Sequence, residues 1–407
     1  MKALLFRLLT LLTLLCTWNT GAAAELTAAD FWMPRDTSVW FVTIGPGREV
    51  YELEGHSAIA VVYPDGRGLA YNYGVYDFNA PNFIWRFTKG ETDYMAVEYP
   101  LRPFLLSYVN SGRHIEATRL ELDSLAHRRL LARLSRDVSP EHRVYRYNYV
   151  LDNCATRPLR AVELAYGDSL ILPPGPHERS GAPMTFRSVM RRYHRNYPWY
   201  QFGIDLALGS GIDRPITTRE AAFAPAELSP MLAATPVAGG TVTLLEEHNP
   251  TAGPTPWYLT PDSAGWALFV LAALVCVRDV RRQRLTRWSQ SAFFGLLGLG
   301  GCLLTFLIFV SVHEATSPNW QYAWLNPFCL IGAVAIWIKS AKNVLICYHF
   351  INFVAVIAFA VAWPWIPQSG NTAFVPLVAA DILCSATALY VLRKKWNSNT
   401  TYLRPRS

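Results

Sequence analysis

The chain has 407 residues, enough for two folded units, and carries a formal net charge of +7. That charge does not signal nucleic-acid binding. Twelve of the basic residues lie between Arg278 and Arg287, at Lys339 and Lys342, and in the tail from Arg393 to Arg406. All of them flank apolar spans, the rest of the chain is slightly acidic, and no basic stripe with stacking aromatics sits on a recognisable nucleic-acid module.

Residues 1–24 carry Lys2 and Arg7, an apolar run from Leu8 to Cys16, and Ala22-Ala23-Ala24 before Glu25. This is the pattern of a signal peptide or, if uncleaved, of an N-terminal anchor with the same topology. Cys16 follows Leu14-Leu15 rather than small residues, which argues against lipid attachment there. Residues 25–260 are therefore expected to form an exported, periplasmic domain.

Between residues 38 and 100, short β-rich runs (Val39 to Ile44, His56 to Tyr63, Leu69 to Val75, Tyr94 to Tyr99) alternate with Gly and Pro clusters and predict an antiparallel sheet. Asp65-Gly66 marks a tight hairpin between the second and third runs. Asp123 to Val138 reads as a helix capped by Asp123 or Ser124, with Leu131, Leu134 and Val138 recurring on one face. The extended segment Val144 to Leu151 leads into Cys154, and a helix follows to about Ala165. A Pro/Gly-rich loop covers Pro173 to Pro183, and residues 185–210 read as helical and aromatic-rich.

Five apolar spans follow, at about 263–280, 289–312, 322–338, 343–366 and 373–392, each near the length that crosses a bilayer. The Lys/Arg-rich loops alternate with Glu314 to Asn326 and Pro364 to Thr372, which hold neither Lys nor Arg. The positive-inside rule then puts the tail, residues 394–407, in the cytoplasm and residues 25–260 on the far side of the inner membrane. The expected fold class is an α+β exported domain followed by an all-α membrane domain, residues 261–393, of about five transmembrane helices.

Cys154 is the single cysteine between Glu25 and Pro261. An intradomain disulfide is excluded by counting, so a thiol in an oxidising compartment calls for another reason, and nucleophilic chemistry supplies one. A thiolate at neutral pH needs an imidazole or a helix N-terminus nearby. His56 opens a strand whose period of two groups it with Ala58, Ala60 and Val62 on a face of small side chains, where substrate has room. For the group that orients the histidine, a two- or four-residue hairpin at Asp65-Gly66 puts Tyr73, Val75 and Asp77 on the His56 face, so Asp77 and Tyr73 rank ahead of Asn72. Asp152 and Asn153 are good helix caps and would bring Cys154 close to unpaired N–H groups, although Pro158 makes the helix bend there or start later.

His114, His127, His142, His177, His194 and His248 show no metal-ligand spacing and read as surface residues. There is no HExxH, phosphate loop or Cys pair, so neither a metal nor another cofactor is indicated. In the membrane half, His313 at the outer end of the second span either faces the Cys154 domain or belongs to the interfacial belt. Asp381 inside the fifth span is costly to bury, and a structural hydrogen bond is its simplest account.

Gly55-His56-Ser57, Asn72-Tyr73-Gly74 with Asp77-Phe78, and Asn153-Cys154-Ala155-Thr156-Arg157, upstream of a multi-span half, resemble the Lnb lipoprotein N-acyltransferases of Bacteroides-type bacteria. The resemblance implies a papain-like, permuted NlpC/P60-type exported domain in which histidine precedes cysteine. It further implies that Cys154 takes an acyl chain from a phospholipid as a thioester, with His56 as base and then acid, and passes it to the α-amino group of a diacylated lipoprotein. Asp77, Tyr73, Asn72 and Asn153 are the supporting residues. Two other functions use the same residues: a membrane-anchored periplasmic cysteine peptidase or amidase acting on cell-wall peptides, and a non-enzymatic redox sensor.

Overall fold

The computed structural model describes residues 26–401 apart from 78, 80, 168–169 and 249–251, with side chains described up to 393. The expected signal segment with Cys16, Phe78 and most of the tail lie outside the described residues.

Seven strands form one antiparallel sheet: β1 (Ser38–Ile44), β2 (His56–Val62), β3 (Gly68–Val75), β4 (Asp93–Pro100), β5 (Ile115–Leu120), β6 (Val144–Arg146) and β7 (Ala238–Leu245), in the order β6-β4-β3-β2-β1-β5-β7. The four β-rich runs of residues 38–100 account for β1 to β4. β6 is the start of the extended segment Val144 to Leu151, whereas β5 and β7 were not foreseen. The principal helices of this domain are α1 (Phe83–Lys89), α2 (Leu101–Val109), α3 (Ser124–Asp137), α4 (Thr156–Tyr166), α5 (Phe186–His194), α6 (Pro198–Ala207) and α7 (Pro225–Ala233). Asp123 starts α3 by accepting from the N–H groups of Leu125 and Ala126.

Both faces of the sheet are covered, which is why β2 is apolar on both sides rather than alternating. Ile59, Val61, Tyr71 and Tyr73 pack under α3, α4 and α7, while Ala58, Ala60, Val62 and Ala70 pack with Leu101, Phe104 and Leu105 of α2. Each large side chain so buried stabilises the fold by about 1.5–3 kcal/mol. A site at the end of β2 thus rests on a stiff central strand.

The β2–β3 hairpin departs from both registers considered. Val62 pairs with Gly68 and Ala58 with Asn72, leaving five residues in the loop, closed by the Tyr63 N–H on Arg67 O. An odd loop shifts the pairing by one residue and exchanges the faces of β3. Asn72 therefore shares the His56 face and Tyr73 does not, while a bulge at Gly74 turns Val75 back to the Asn72 side.

The membrane half contains α8 (Pro261–Arg282), α9 (Arg287–Phe309), α10 (Cys329–Ala335), α11 (Lys342–Ala362) and α12 (Phe374–Thr401). Four of these are long and apolar enough to cross a membrane. The third expected span is the exception: α10 has seven residues, about 10 Å of helix. Pro327 lacks an N–H and disfavours helix at Asn326, so the chain breaks there. The broken segment nevertheless runs antiparallel to α9, from Tyr322 beside Phe309 to Trp337 beside Trp288. Glycines in α9 admit it, since a Cβ on Gly301 would collide with the Asn326 backbone and one on Gly298 would stand 2.6 Å from the Leu330 side chain. Broken backbone at this depth is tolerated where protein rather than lipid surrounds it.

The two halves are bolted together by α5, α6 and the turn after them. Arg187, fully buried, binds Asp205, Asp213 and the carbonyls of Leu208 and Gly209. Asp205 in turn accepts from Asn371, and Phe202 packs edge-on against Phe374 at 5.2 Å. Removing one partner from such a buried charged network costs about 3–5 kcal/mol.

Candidate active site

His56, the first residue of β2, is partly buried, and its Nε2 lies 2.6 Å from Asn72 Oδ1 on β3. A carbonyl oxygen only accepts, so Nε2 carries the proton and Nδ1 the lone pair. The ring stacks at 6.2 Å on Tyr108, whose other neighbour is the buried Arg113 guanidinium, 5.4 Å from the ring centre. Burial lowers the His56 pKa to about 4, against the opposing pull of the Asn72 bond, and the nearby Arg113 charge lowers it further. The imidazole is therefore neutral at pH 7 and able to accept a proton.

Cys154 lies in the turn just ahead of α4. Asn153 builds that turn: its Oδ1 accepts from the N–H groups of Ala155 and Thr156, and its Nδ2 donates to the carbonyls of Tyr149 and Phe223. Thr156 answers by accepting the Asn153 N–H on its hydroxyl. Arg157 is held by Asp152 and lies 3.4 Å over the Tyr145 ring. Every polar member of Asn-Cys-x-Thr-Arg except the cysteine is thus spent on fixing the turn. Pro158 falls in the first turn of α4, where an N–H has no helical partner, so the helix starts at Thr156 without a bend.

The Tyr147 hydroxyl donates to the Cys154 sulfur, and the N–H of Ser57, the residue after His56, points at the same atom. Burial pushes the thiol up to about 11, the two donors pull it down, and the Glu54 carboxylate raises it again. The resting pair is thus neutral thiol and neutral imidazole. Donors around the sulfur also face the oxygen of any carbonyl the sulfur attacks, and Ser57 Oγ is buried there with no protein partner. Gly74 closes the site from β3 with φ +95, a conformation that other residues adopt only under strain, and its Cα faces the Cys154 side chain. A cavity of about 430 Å³ opens beside Asn72, Gly74, Tyr76, Tyr99 and Tyr108.

Residues 30–192, which contain all of these groups except the Phe223 carbonyl, match the family model of the Lnb N-terminal periplasmic domain. Residues 254–395 match that of the Lnb transmembrane domain. The chain belongs to the Lnb family. It is a multi-pass membrane protein with a periplasmic domain. No curated protein and no solved structure matches it.

Two expected supporting residues of this Lnb-family chain stand elsewhere. Asp77 is exposed and accepts the Asn79 N–H in a local turn. Tyr73 is fully buried on the opposite face, where its hydroxyl donates to Asp137. Asn72 occupies the position expected of them because of the odd hairpin loop. Tyr147 and Glu54 were not anticipated. The alternation Tyr145, Tyr147, Tyr149 signalled one buried side of an extended run, and Tyr149 does donate to Glu54. His194, expected at the surface, is fully buried between Glu54 and Gln201, and His177 is buried as well. His313 does not enter the site; its Nε2 donates to the Phe87 carbonyl. Among the described residues no group of three or more metal-ligating side chains is assembled.

Proposed function

We propose that this protein is a lipoprotein N-acyltransferase of the inner membrane. The observation that carries the reading is the convergence of Tyr147 O–H and Ser57 N–H on one exported thiol, Ser57 being the residue after a histidine already oriented by Asn72, in a domain docked on the outer ends of membrane helices. The papain-like comparison enters through the order of His56 and Cys154 in the chain.

His56 Nδ1 takes the thiol proton as the sulfur attacks the ester carbonyl of a phospholipid. The carbonyl oxygen gains charge within reach of the donors around the sulfur. The C–O bond then breaks, the leaving alkoxide takes the proton from His56, and a lysophospholipid departs from a Cys154 thioester. The neutral α-amine of a diacylglyceryl-cysteine lipoprotein attacks next, His56 accepts the amine proton, the C–S bond breaks, and the sulfur is reprotonated. An α-amino group titrates at about 7.7–8.0, so an appreciable fraction is already neutral at pH 7. Fusion to the membrane half serves proximity, because donor and acceptor are both anchored in the bilayer.

The test is transfer of a labelled acyl chain from phospholipid to a diacylated lipopeptide by the wild type, Cys154→Ser and His56→Ala. Mass spectrometry of the lipopeptide should show one added acyl chain with the wild type alone. An undiminished product with Cys154→Ser overturns the function.

A further inference from the structure

We propose that the groove between α1 and the outer end of α9 binds an acyl chain of the donor phospholipid and directs its ester towards Cys154, an inference that rests on the acyl-transfer function above. The groove is a cavity of about 670 Å³ lined by Asn82 just ahead of α1, by Phe83, Ile84, Trp85 and Thr88 of α1, and by Leu303 and Phe306 of α9. Trp85 and Phe306 meet at 5.1 Å between ring centres. The single hydroxyl of the lining, on Thr88, is already bonded to the Ile84 carbonyl. Apart from the Asn82 amide, such a wall offers an occupant apolar contact rather than hydrogen bonds.

Its height in the membrane selects that occupant. Trp288 and Trp337 pack together near the Arg-rich inner loop, and eighteen residues of helix separate Trp288 from Phe306, about 27 Å. A hydrocarbon core is about 30 Å thick, so the groove lies at its outer boundary. There α1 exposes Ile84 (80%), Trp85 (57%) and Phe87 (50%), a pattern suited to lipid rather than to water. The helix is also fastened to the membrane half: the Val312 N–H, the Ser311 hydroxyl and the His313 ring donate to the carbonyls of Lys89, Thr88 and Phe87.

A route to the sulfur leads on from the groove. Phe83 of the groove stacks on Tyr76 at 5.8 Å, and Tyr76 lines the second cavity together with Asn72 and Gly74. Tyr76 also meets Tyr94 at 5.1 Å, Tyr94 stacks on Tyr147 at 4.3 Å, and Tyr147 holds the Cys154 sulfur. The segment bearing the thiol is tied to the same end of α9, where Asn148 donates to Glu314 at 3.4 Å. An acyl chain in the groove therefore has its ester end on the side from which an aromatic wall leads to the nucleophile.

The experiment uses full-length wild type and Cys154→Ser in bilayers containing a phosphatidylethanolamine with a diazirine at the end of one acyl chain. Cross-linked residues are mapped by mass spectrometry. The expected result is labelling of residues 83–88 and 303–306 about fivefold or more above lipid-facing Leu274 and Ile351, competed by unlabelled lipid. Thr88→Trp should fill the groove, abolish that excess and lower kcat/KM for a long-chain donor about tenfold relative to a short-chain donor. Uniform labelling of all lipid-facing helices, or an unchanged chain-length ratio in a folded Thr88→Trp, overturns the groove. If acyl transfer proceeds while labelling is uniform, the groove fails and the function stands. If labelling is focused while no acyl chain is transferred, the groove binds lipid and the assigned function fails.

Discussion

Two of the buried polar clusters in this molecule differ in how their groups are arranged. Around Cys154, the Ser57 N–H of β2 and the Tyr147 hydroxyl of the segment before α4 converge on one sulfur, Asn72 of β3 orients His56, and a cavity opens at Gly74, which faces the cysteine. Between α11 and α12, Asn352 donates to Asp381 Oδ1 at 2.6 Å and to Ser385 Oγ at 3.1 Å, and His349 Nδ1 lies 3.3 Å from the same hydroxyl. There the members sit three or four residues apart on two neighbouring helices, and Asp381 and His349 are fully enclosed. Spacing of that kind stitches one helix to the next. Convergence from distant parts of the chain onto a reactive atom, with space beside it, marks a site; burial of polar atoms alone does not.

The comparison breaks most severely if the first cluster proves dispensable. Cys154→Ser should lower acyl transfer about 10⁴-fold or more, because removing a nucleophile removes the whole covalent route. His56→Ala should lower it about 10²–10⁴-fold. Both variants should keep the wild-type thermal unfolding midpoint, which separates loss of chemistry from loss of fold.

The electrostatics of the site give the next largest effect. With the thiol pushed up to about 11, only about one part in ten thousand is thiolate at pH 7. Iodoacetamide labelling of Cys154, followed on its own peptide by mass spectrometry, should then speed up about tenfold per pH unit and about a thousandfold from pH 7 to 10. The sign follows from burial, which raises the pKa of a group that is charged when deprotonated. A rate flat from pH 5 to 9 would mean a thiolate–imidazolium pair and would overturn the neutral resting state. Acylation of Cys154 by phospholipid, by contrast, needs neutral His56 and should already be past its acid limb above about pH 5, since the ring titrates at about 4, whereas transfer to the amine rises further until that group is deprotonated near about pH 8.

The hairpin register sharpens the comparison within the first cluster. Asn72→Ala frees the imidazole to rotate and should lower kcat about 10–100-fold with little change in KM. Asp77→Ala, outside the cluster, should stay within about twofold. Reversal of the two would restore the register with Asp77 against His56.

Those residues also show what was legible in the sequence. The thiol was readable because an unpaired cysteine in an oxidising compartment needs a cause, and the helix start beside it because Asp152 and Asn153 are capping residues. Both signals are short-range. The face of β3 was not readable, because it hinges on whether the loop after Tyr63 holds an odd or even number of residues, and Asp65-Gly66 suits either. Tyr108 and Arg113 reach His56 through tertiary packing that no spacing in the chain encodes. The broken form of the third span was unreadable for a related reason. Hydropathy registers the apolar length of 322–338, whereas Pro327 and the facing glycines of α9 decide its conformation.

The smallest expected effect tests the second cluster. Asp381→Asn retains the shape of the side chain and an oxygen that can accept from Asn352. Acyl transfer should therefore stay within about twofold of wild type, because nothing in the cluster reaches Cys154. Asp381→Leu removes the acceptor, and a hydrogen bond between membrane helices contributes about 0.6 kcal/mol on average, so its midpoint should fall by only a few degrees. Measured side by side in bilayers, a folded Asp381→Asn that had lost most of its activity would contradict the division between the clusters: a carboxylate that ties two helices tolerates replacement by its amide, whereas one that exchanges protons during turnover does not.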